Sequence, residues 1–309
     1  MAARYADPCV FDTLSGKHVP HILDKIFLSL DYESFKTCTE VNSVWKRLLT
    51  SESFQKKAKS VFRQEIKEDE KKLWQMSQSG NTNEVRRIMS LGMVDINTYE
   101  GGLDETTALY EAADNGHKDV IKILLGGGAD PDKASGSVGM APLHMPALKG
   151  NTDVVQLLLN SGANPNVVSF GGLTPLFWAA ANDHFDVSKL LIENGADPNK
   201  VENEGDLPLH GAACNAYYCV VKLLVDKGAE INKAEYMFGK TALHYAAQEA
   251  KGGGTNDKCY REVIQFLLDN GGDPRKEDTE GETPLSYALR NGNMGVVKMM
   301  KEANVRFSA

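Results

Sequence analysis

The sequence predicts an all-α protein, most of which is a solenoid of about seven helix–turn–helix repeats. Three observations predict this fold. Residues 174–201 contain two short apolar helical patterns that are separated by a polar turn. Similar patterns recur at intervals of about 33 residues, and most of them end on a glycine. Two short helices cannot bury their apolar faces alone, so each unit must stack on neighbours of its own kind.

Residues 174–201 show the two helices most clearly. Thr174 is a hydroxyl cap, and Pro175 suits the first position of a helix. Gly195 supplies the left-handed residue that ends the second helix. The apolar residues of the first helix are Leu176, Ala179 and Ala180, and those of the second are Val187, Leu190, Leu191 and Ile192. The small residues of the first helix let another helix approach it closely.

Equivalent positions recur at intervals of about 34, 33, 33, 34 and 42 residues. The helix-start positions are Thr107, Ala141, Thr174, Leu207, Thr241 and Thr283. A second-helix valine follows each of them at Val120, Val154, Val187, Val220, Val263 and Val296. The closing glycines are Gly128, Gly162, Gly195, Gly228 and Gly271. A degenerate first copy contains Leu73, Gly80, Val85, Ile88, Met89, Gly92 and Asn97, which makes seven repeats with atypical ends.

Three repeats carry a short signature at the start of the first helix: Pro142-Leu143-His144, Pro208-Leu209-His210 and Ala242-Leu243-His244. With its period near 33 residues, the array resembles the ankyrin-repeat family. The resemblance implies that these histidines support the hairpin turns by hydrogen bonds. It also implies a concave protein-binding face, which is built from the hairpin tips and the first helix of each repeat.

Residues 18–54 differ in kind from the repeats. An apolar helical stripe opens this segment, Asp31 interrupts it, and two more short helices follow around Phe35 and Trp45. Three helices in so short a segment bury too little apolar surface to be stable alone. Such a segment is usually completed by a partner.

The order of these residues resembles the F-box motif. The matching residues are Val19, Pro20, Ile22, Leu23, Ile26, Phe27, Leu30, Asp31, Phe35, Val41 and Trp45. Four positions hold a residue other than the usual one: Val19 replaces leucine, His21 an acidic residue, Asn42 cysteine and Phe54 a terminal tryptophan. The resemblance implies that the segment binds a Skp-type adaptor through Pro20, Leu23, Ile26, Phe27, Leu30 and Trp45. The alternative is a generic three-helix cap on the solenoid.

The chain therefore divides into four segments. Residues 1–17 are expected to be a mobile leader, residues 18–54 an F-box, residues 55–70 a helical linker and residues 71–309 the ankyrin repeats. The linker is rich in charge and contains neither proline nor glycine, which predicts a helix with a solvated face. A helical connection would fix the angle between the F-box and the array.

Three features depart from the repeat pattern. Pro146 lies inside a first helix, where it removes a backbone donor and should distort the turn. Leu207 replaces a capping threonine, which should cost about 1 kcal/mol of helix stability. Repeat six contains about nine extra residues between its helices. We expect these residues to form a flexible loop, so that deletion of residues 250–258 leaves the Tm nearly unchanged.

Charge and composition exclude several functions. The 309-residue chain has a net charge of −8, which argues against a general binder of nucleic acid or of anionic membranes. It shows no signal-peptide pattern and no apolar run of about 20 residues. The five cysteines lack a CxxC pair, which favours reduced thiols. We expect a cytoplasmic protein, with the nucleus as a second compartment.

No group of residues predicts catalysis or a metal site. The ankyrin signature accounts for His144, His210 and His244. Cys214 and Cys219 have no neighbouring pair of ligands at zinc-site spacing. The aspartates of the Gly-Ala-Asp-Pro-Asn segments favour turns. We therefore expect no enzymatic activity, no catalytic residue, no metal and no cofactor.

The candidate binding residues are aromatic. Trp178 and Tyr245 occupy the position after the signature histidine, while Phe170, Tyr236 and Phe238 lie at hairpin tips. Exposed apolar residues at loop tips indicate an interaction patch, although these side chains could instead fold back on the neighbouring hairpin. Acidic residues accompany them at Glu202, Glu204, Asp206, Glu235, Glu280 and Glu282. The expected ligand is a basic protein segment with apolar anchors.

Together the two resemblances imply the substrate-recognition subunit of a Skp–cullin–F-box ubiquitin ligase. The F-box would dock the Skp-type adaptor and, through it, the cullin scaffold. The ankyrin face would bind the substrate protein and raise its concentration near the transferring enzyme. The alternatives are a non-ligase ankyrin scaffold and a pathogen effector that uses the same modules.

Overall fold

The computed structural model describes residue 31 and residues 52–90, 92–100, 105–254 and 256–307. The expected leader, residues 1–17, lies outside the described residues. So does the F-box interpretation of residues 18–54, apart from residue 31 and the helix that begins at residue 52. All six residues that the resemblance assigns to adaptor binding lie outside the described residues.

Two helices lead into the repeats, α1 (Glu52–Val61) and α2 (Arg63–Gln78). They meet at Phe62, whose φ of −100° and ψ of 31° interrupt the helix. The expected boundary at residue 71 falls inside α2, which also serves as the first helix of repeat one. Ala58, Phe62 and Ile66 recur every four positions and are buried. The linker is therefore helical with a solvated face, as expected, and its opposite face is buried.

Six further helix pairs follow α2 and α3 (Thr82–Ser90) in the described residues. The pairs are α4 (Ala108–Asp114) with α5 (Lys118–Gly126), α6 (His144–Leu148) with α7 (Thr152–Asn160), α8 (Pro175–Ala181) with α9 (Phe185–Glu193), α10 (Pro208–Cys214) with α11 (Tyr218–Asp226), α12 (Ala242–Glu249) with α13 (Asp257–Asp269), and α14 (Pro284–Arg290) with α15 (Met294–Phe307). Strands β1 (Tyr99–Glu100) and β2 (Thr106–Thr107) pair antiparallel before α4. The fold is thus the predicted helical solenoid, with one very short hairpin in addition.

The core runs continuously along the array. First helices pack on first helices of adjacent repeats, and second helices pack on second helices. The six second-helix valines that mark the repeats are all buried. The five closing glycines have φ between +88° and +94°, a left-handed conformation that glycine adopts without steric cost. The repeat prediction is confirmed.

Polar side chains also connect successive repeats, at the turn that follows each second helix. Asn166 Oδ1 accepts a hydrogen bond from the N–H of Asp197 at 2.8 Å, and Asn199 Oδ1 accepts one from Glu230 at 2.8 Å. The same bond joins Asn97 to Asp130, Asp132 to Asn164 and Asn232 to Asp273. Within the turns, Asp197 Oδ1 accepts the N–H of Asn199 at 2.8 Å and Asp130 Oδ1 accepts that of Asp132 at 3.0 Å, which confirms the turn role predicted for the aspartates.

The distortion expected at Pro146 is present. Helix α6 has five residues, whereas the equivalent helices α8 and α10 have seven. Two features shorten its start: Pro146 cannot donate a backbone hydrogen bond, and Ala141 offers no hydroxyl cap. At Leu207 no side chain replaces the missing hydroxyl, and the N–H of His210 bonds instead to the Leu207 carbonyl at 2.9 Å. The N–H of Leu207 donates to His210 Nδ1 at 3.2 Å.

The insertion in repeat six is not a simple loop. Part of it extends α13 to 13 residues, compared with nine in α11. Ala250 is buried, and Asn293 Nδ2 donates to the Ala250 carbonyl at 3.2 Å and to Asp257 Oδ1 at 2.7 Å. The expectation that residues 250–258 are dispensable is therefore wrong. Their deletion would remove a buried residue and two hydrogen bonds to the last repeat.

Two expectations from composition concern the described residues. Cys214, Cys219 and Cys259 form no disulfide with one another in the described part of the chain, and the reduced state of the cysteines stays a prediction. Within the described part of the chain, no helix combines the length and the apolar character that a membrane span requires.

Candidate protein-binding surface

Three buried histidines connect a first helix to the hairpin of the next repeat. His144 Nδ1 accepts the N–H of Ala141 at 3.0 Å, so the ring proton lies on Nε2, which donates to the Leu173 carbonyl at 3.0 Å. His210 and His244 make equivalent bonds. Burial lowers the pKa of His144 and His244, which keeps both rings neutral. The expected role of these histidines in supporting the hairpins is confirmed.

Acidic side chains hold the last three hairpins from within. Glu235 is only 4% exposed, and its carboxylate accepts backbone N–H bonds at 2.6–3.0 Å from Met237, Phe238 and Lys240. Glu202 and Asp278 accept backbone N–H groups of their own hairpins in the same way. The interpretation of Glu235 as a residue of the binding surface is therefore wrong, because its carboxylate is enclosed by its hairpin.

The hairpin tips form one hydrogen-bonded row. Each backbone donor lies on one hairpin and its acceptor on the preceding one, at 2.7–3.1 Å. In chain order the bonds run from Phe170 N to Val138 O, from Asn203 N to Gly171 O, from Tyr236 N to Glu204 O and from Thr279 N to Phe238 O. A ligand would therefore meet a connected surface that is held by main-chain bonds, not a set of independent loops.

The tip aromatics rest on glycines of the preceding hairpin. A Cβ atom added to Gly139 would lie within 2.4 Å of the Phe170 ring, and one added to Gly205 within 2.6 Å of the Tyr236 ring. Phe170 nevertheless remains 69% exposed and Tyr236 62% exposed. Both alternatives from the sequence therefore apply: each ring folds back on its neighbour and still presents a large apolar area to solvent.

Two apolar patches flank one acidic hairpin along this row. The Phe170 patch consists of Val138, Val168 and Phe170, and the Tyr236 patch of Tyr236, Met237 and Phe238; all six side chains are exposed. Between them lies the acidic tip, Glu202, Glu204 and Asp206, whose carboxylate oxygens lie within 4.8 Å of one another. Among the described residues, neither lysine nor arginine forms an ion pair with these carboxylates; Asp206 contacts His210 Nδ1 at 2.9 Å.

Lys240 lies among three aromatic rings beside the Tyr236 patch. Its Nζ is 5.4 Å from the centre of the Phe238 ring, 6.0 Å from that of Tyr245 and 5.0 Å from that of Tyr287. Burial raises the pKa of the Tyr245 hydroxyl and raises that of Tyr287 to about 12. The structure thus brings together the predicted residues Phe238 and Tyr245. Tyr287, which occupies the position of Tyr245 in the last repeat, joins them.

Trp178 lies apart from the tips, on helix α8. It is partly buried, with its ring centre 6.2 Å from that of Phe177. Its indole Nε1 is buried and has no hydrogen-bond acceptor among the described residues. Because this donor has almost no accessible surface, a ligand can contact only the exposed part of the Trp178 ring. The five predicted binding residues therefore occupy three places: the Phe170 patch, the Tyr236 patch with Tyr245, and Trp178 on its helix.

We expect Gly205→Ala to destabilise the array more than Gly228→Ala. Both glycines have φ near +90°, so both substitutions carry a backbone cost of about 1–2 kcal/mol. Only at Gly205 would the new Cβ lie 2.7 Å from the Tyr236 backbone nitrogen, which should add about 1–3 kcal/mol. Urea unfolding measures the difference. An equal loss of stability in the two variants would show that the Tyr236 hairpin does not pack closely against Gly205.

These features define a helical repeat protein with a row of linked hairpin tips. The sequence profile of ankyrin repeats matches the chain in three stretches, residues 73–169, 167–235 and 231–308. The chain belongs to the ankyrin-repeat family, whose arrays bind protein partners.

Two relatives illustrate the likeness. A putative ankyrin repeat protein of Fowlpox virus (strain NVSL), FPV223, is 51% identical over 37 residues, which cover 12% of this chain and 26% of that protein. The match thus spans about a quarter of the viral protein's length. The crystal structure of the ankyrin repeat domain of Bcl-3, a member of the IkappaB protein family, superposes with a TM-score of 0.63 at 25% identity. It covers 74% of this chain and 97% of the Bcl-3 chain.

Proposed function

We propose that the chain is the substrate-recognition subunit of a Skp–cullin–F-box ubiquitin ligase. The observation that carries the proposal is the order of residues in segment 18–54, which resembles the F-box and directly precedes an ankyrin array. The chain itself does no chemistry in this role. It holds a Skp-type adaptor, and through it a cullin scaffold, at one end and a substrate protein on the hairpin tips.

The connection between the two parts supports this role. Helix α2 begins in the linker and continues as the first helix of repeat one, where it packs on α4. Trp74 Nε1, on α2, donates to Thr106 Oγ1 of the following hairpin at 2.7 Å. A connection of this kind keeps a bound substrate at a fixed distance and direction from helix α2. The effective concentration of the substrate is then set by geometry, not by a flexible chain.

The test is adaptor binding by the intact chain. Pro20→Ala combined with Leu23→Ala should abolish co-purification with a Skp-type adaptor, because both residues belong to the apolar stripe expected to contact it. The far-ultraviolet circular dichroism and the Tm of the repeats should remain unchanged. Adaptor recovery by the double variant equal to that of the unaltered chain would contradict the F-box assignment.

A second candidate is a protein-binding scaffold or effector without a ligase role. The likeness to a viral ankyrin protein favours it, although only over 37 residues. In that case residues 18–54 would only cap the array. The unaltered chain would then retrieve protein partners through its tips but no adaptor, which separates this candidate from the first.

A further inference from the structure

The row of tips has an order that restricts what can bind along it. Reading from repeat four to repeat six, an exposed aromatic side chain, an acidic hairpin and a second exposed aromatic group follow one another. Phe170 adjoins Asn203, whose Nδ2 donates to the Phe170 carbonyl at 3.0 Å, and Tyr236 adjoins Glu204 through the bond at 2.7 Å. The surface is therefore contiguous, with apolar, acidic and apolar portions in fixed succession.

Charge complementarity indicates that the ligand carries a positive charge. The three carboxylates of the acidic tip converge without a lysine or arginine among the described residues. The carboxylate of Glu202 is held by two backbone N–H groups, and Asp206 contacts His210, so Glu204 is the most exposed of the three. By contrast, Lys240 lies over the Phe238 ring. The patch that adjoins the acidic tip is consequently Tyr236 with Met237, and a cation brought by the ligand fits the tip between the two patches.

The spacing of the repeats converts this order into a sequence pattern. Neighbouring helices pack about 8–10 Å apart, so successive tips lie about that distance from one another. An extended peptide advances about 3.3 Å per residue. About three residues of peptide therefore span one repeat. We infer that the substrate binds the tips of repeats four to six as an extended segment with an arginine or lysine flanked, about three residues to each side, by large apolar residues. This inference rests on the proposed protein-binding role of the array.

The test uses the full chain and three fluorescein-labelled nine-residue peptides. The first has phenylalanine at positions 2 and 8, arginine at position 5 and serine elsewhere. The second has glutamate in place of the arginine, and the third moves both phenylalanines next to the arginine. We expect the second and third peptides to bind about tenfold more weakly than the first by fluorescence anisotropy, since one loses charge complementarity and the other loses the register.

Protein variants locate the site. Glu204→Lys should weaken binding of the first peptide about tenfold, because it reverses the charge at the exposed acidic side chain. Asp186→Lys changes the net charge equally but lies on the exposed part of a second helix, so it should change binding less than about twofold. Tyr236→Ser should weaken binding as well, while the circular dichroism spectrum shows that the array is intact.

Several outcomes would overturn the inference. It fails if the arginine and glutamate peptides bind alike, if Glu204→Lys has no more effect than Asp186→Lys, or if none of the peptides binds. It also fails if sedimentation shows dimers that Tyr236→Ser dissociates, because a second copy of the chain would then cover the tips. Adaptor co-purification is measured in parallel. If the unaltered chain recovers no adaptor, the proposed ligase role is contradicted. If it recovers the adaptor but the peptides do not bind as expected, only the inferred register is contradicted.

Discussion

Glu235→Ala is expected to lower the free energy of unfolding by about 3 kcal/mol. Its buried carboxylate accepts three backbone N–H groups of one hairpin, and a hydrogen bond to a charged group contributes about 1.5–3 kcal/mol. Part of this is regained, because the freed N–H groups lie near the surface and can bind water. In an array of this size, such a loss corresponds to a fall in Tm of roughly 6–12 °C. The measurement is thermal unfolding followed by circular dichroism.

Two variants make this expectation specific. Glu235→Gln keeps one acceptor oxygen and should lose less stability than Glu235→Ala. Glu204→Ala removes an exposed carboxylate from the preceding hairpin and should change stability by no more than about 0.5 kcal/mol. If Glu235→Ala were as mild as Glu204→Ala, the hairpin would not depend on its internal carboxylate.

Trp178→Ala is expected to abolish capture of the protein substrate while adaptor binding remains. A desolvated aromatic anchor contributes about 2 kcal/mol or more, which weakens binding about thirtyfold or beyond. The partly buried ring offers apolar area to a ligand, whereas its Nε1 is enclosed by the protein. The measurement is quantitative mass spectrometry of the proteins that co-purify with each variant.

Trp178→Phe keeps most of the apolar ring and removes only the buried donor, so it should lose less substrate than Trp178→Ala. Phe185→Ala serves as the matched control, since it removes an exposed aromatic ring from a second helix, away from the tips and first helices. Substrate recovery by Trp178→Ala equal to that by Phe185→Ala would remove Trp178 from the binding surface.

The fold followed from the sequence because its determinants are local and repeated. Val120 and its five counterparts mark a buried face through helical spacing, and each closing glycine marks a left-handed turn. The exposure of Phe170 and Tyr236 was predictable for a similar reason, since hairpin tips lie at the surface whatever packs beneath them. Because the unit occurs seven times, each of these inferences is supported by several copies and not by one.

The features that the sequence analysis missed depend on contacts between residues that no repeat or helical pattern relates to one another. A glutamate in a loop normally has a solvated side chain. The burial of Glu235 could therefore be recognised only from the path that the hairpin takes around it. The approach of Lys240 to Tyr287 joins residues of successive repeats across a long insertion. That insertion was misjudged because the polar, glycine-rich composition of the loop does not reveal that Asn293 binds both of its ends.

Crosslinking mass spectrometry of the intact chain, purified together with its partners, tests the central claim most directly. In the proposed function, the adaptor binds residues 18–54 and the substrate binds the hairpin tips, which are two separate surfaces. We therefore predict that the adaptor crosslinks to Lys25, Lys36 or Lys46 and that the substrate crosslinks to Lys240, beside the Tyr236 patch. Adaptor crosslinks confined to the repeats, or substrate crosslinks confined to residues 18–54, would contradict it.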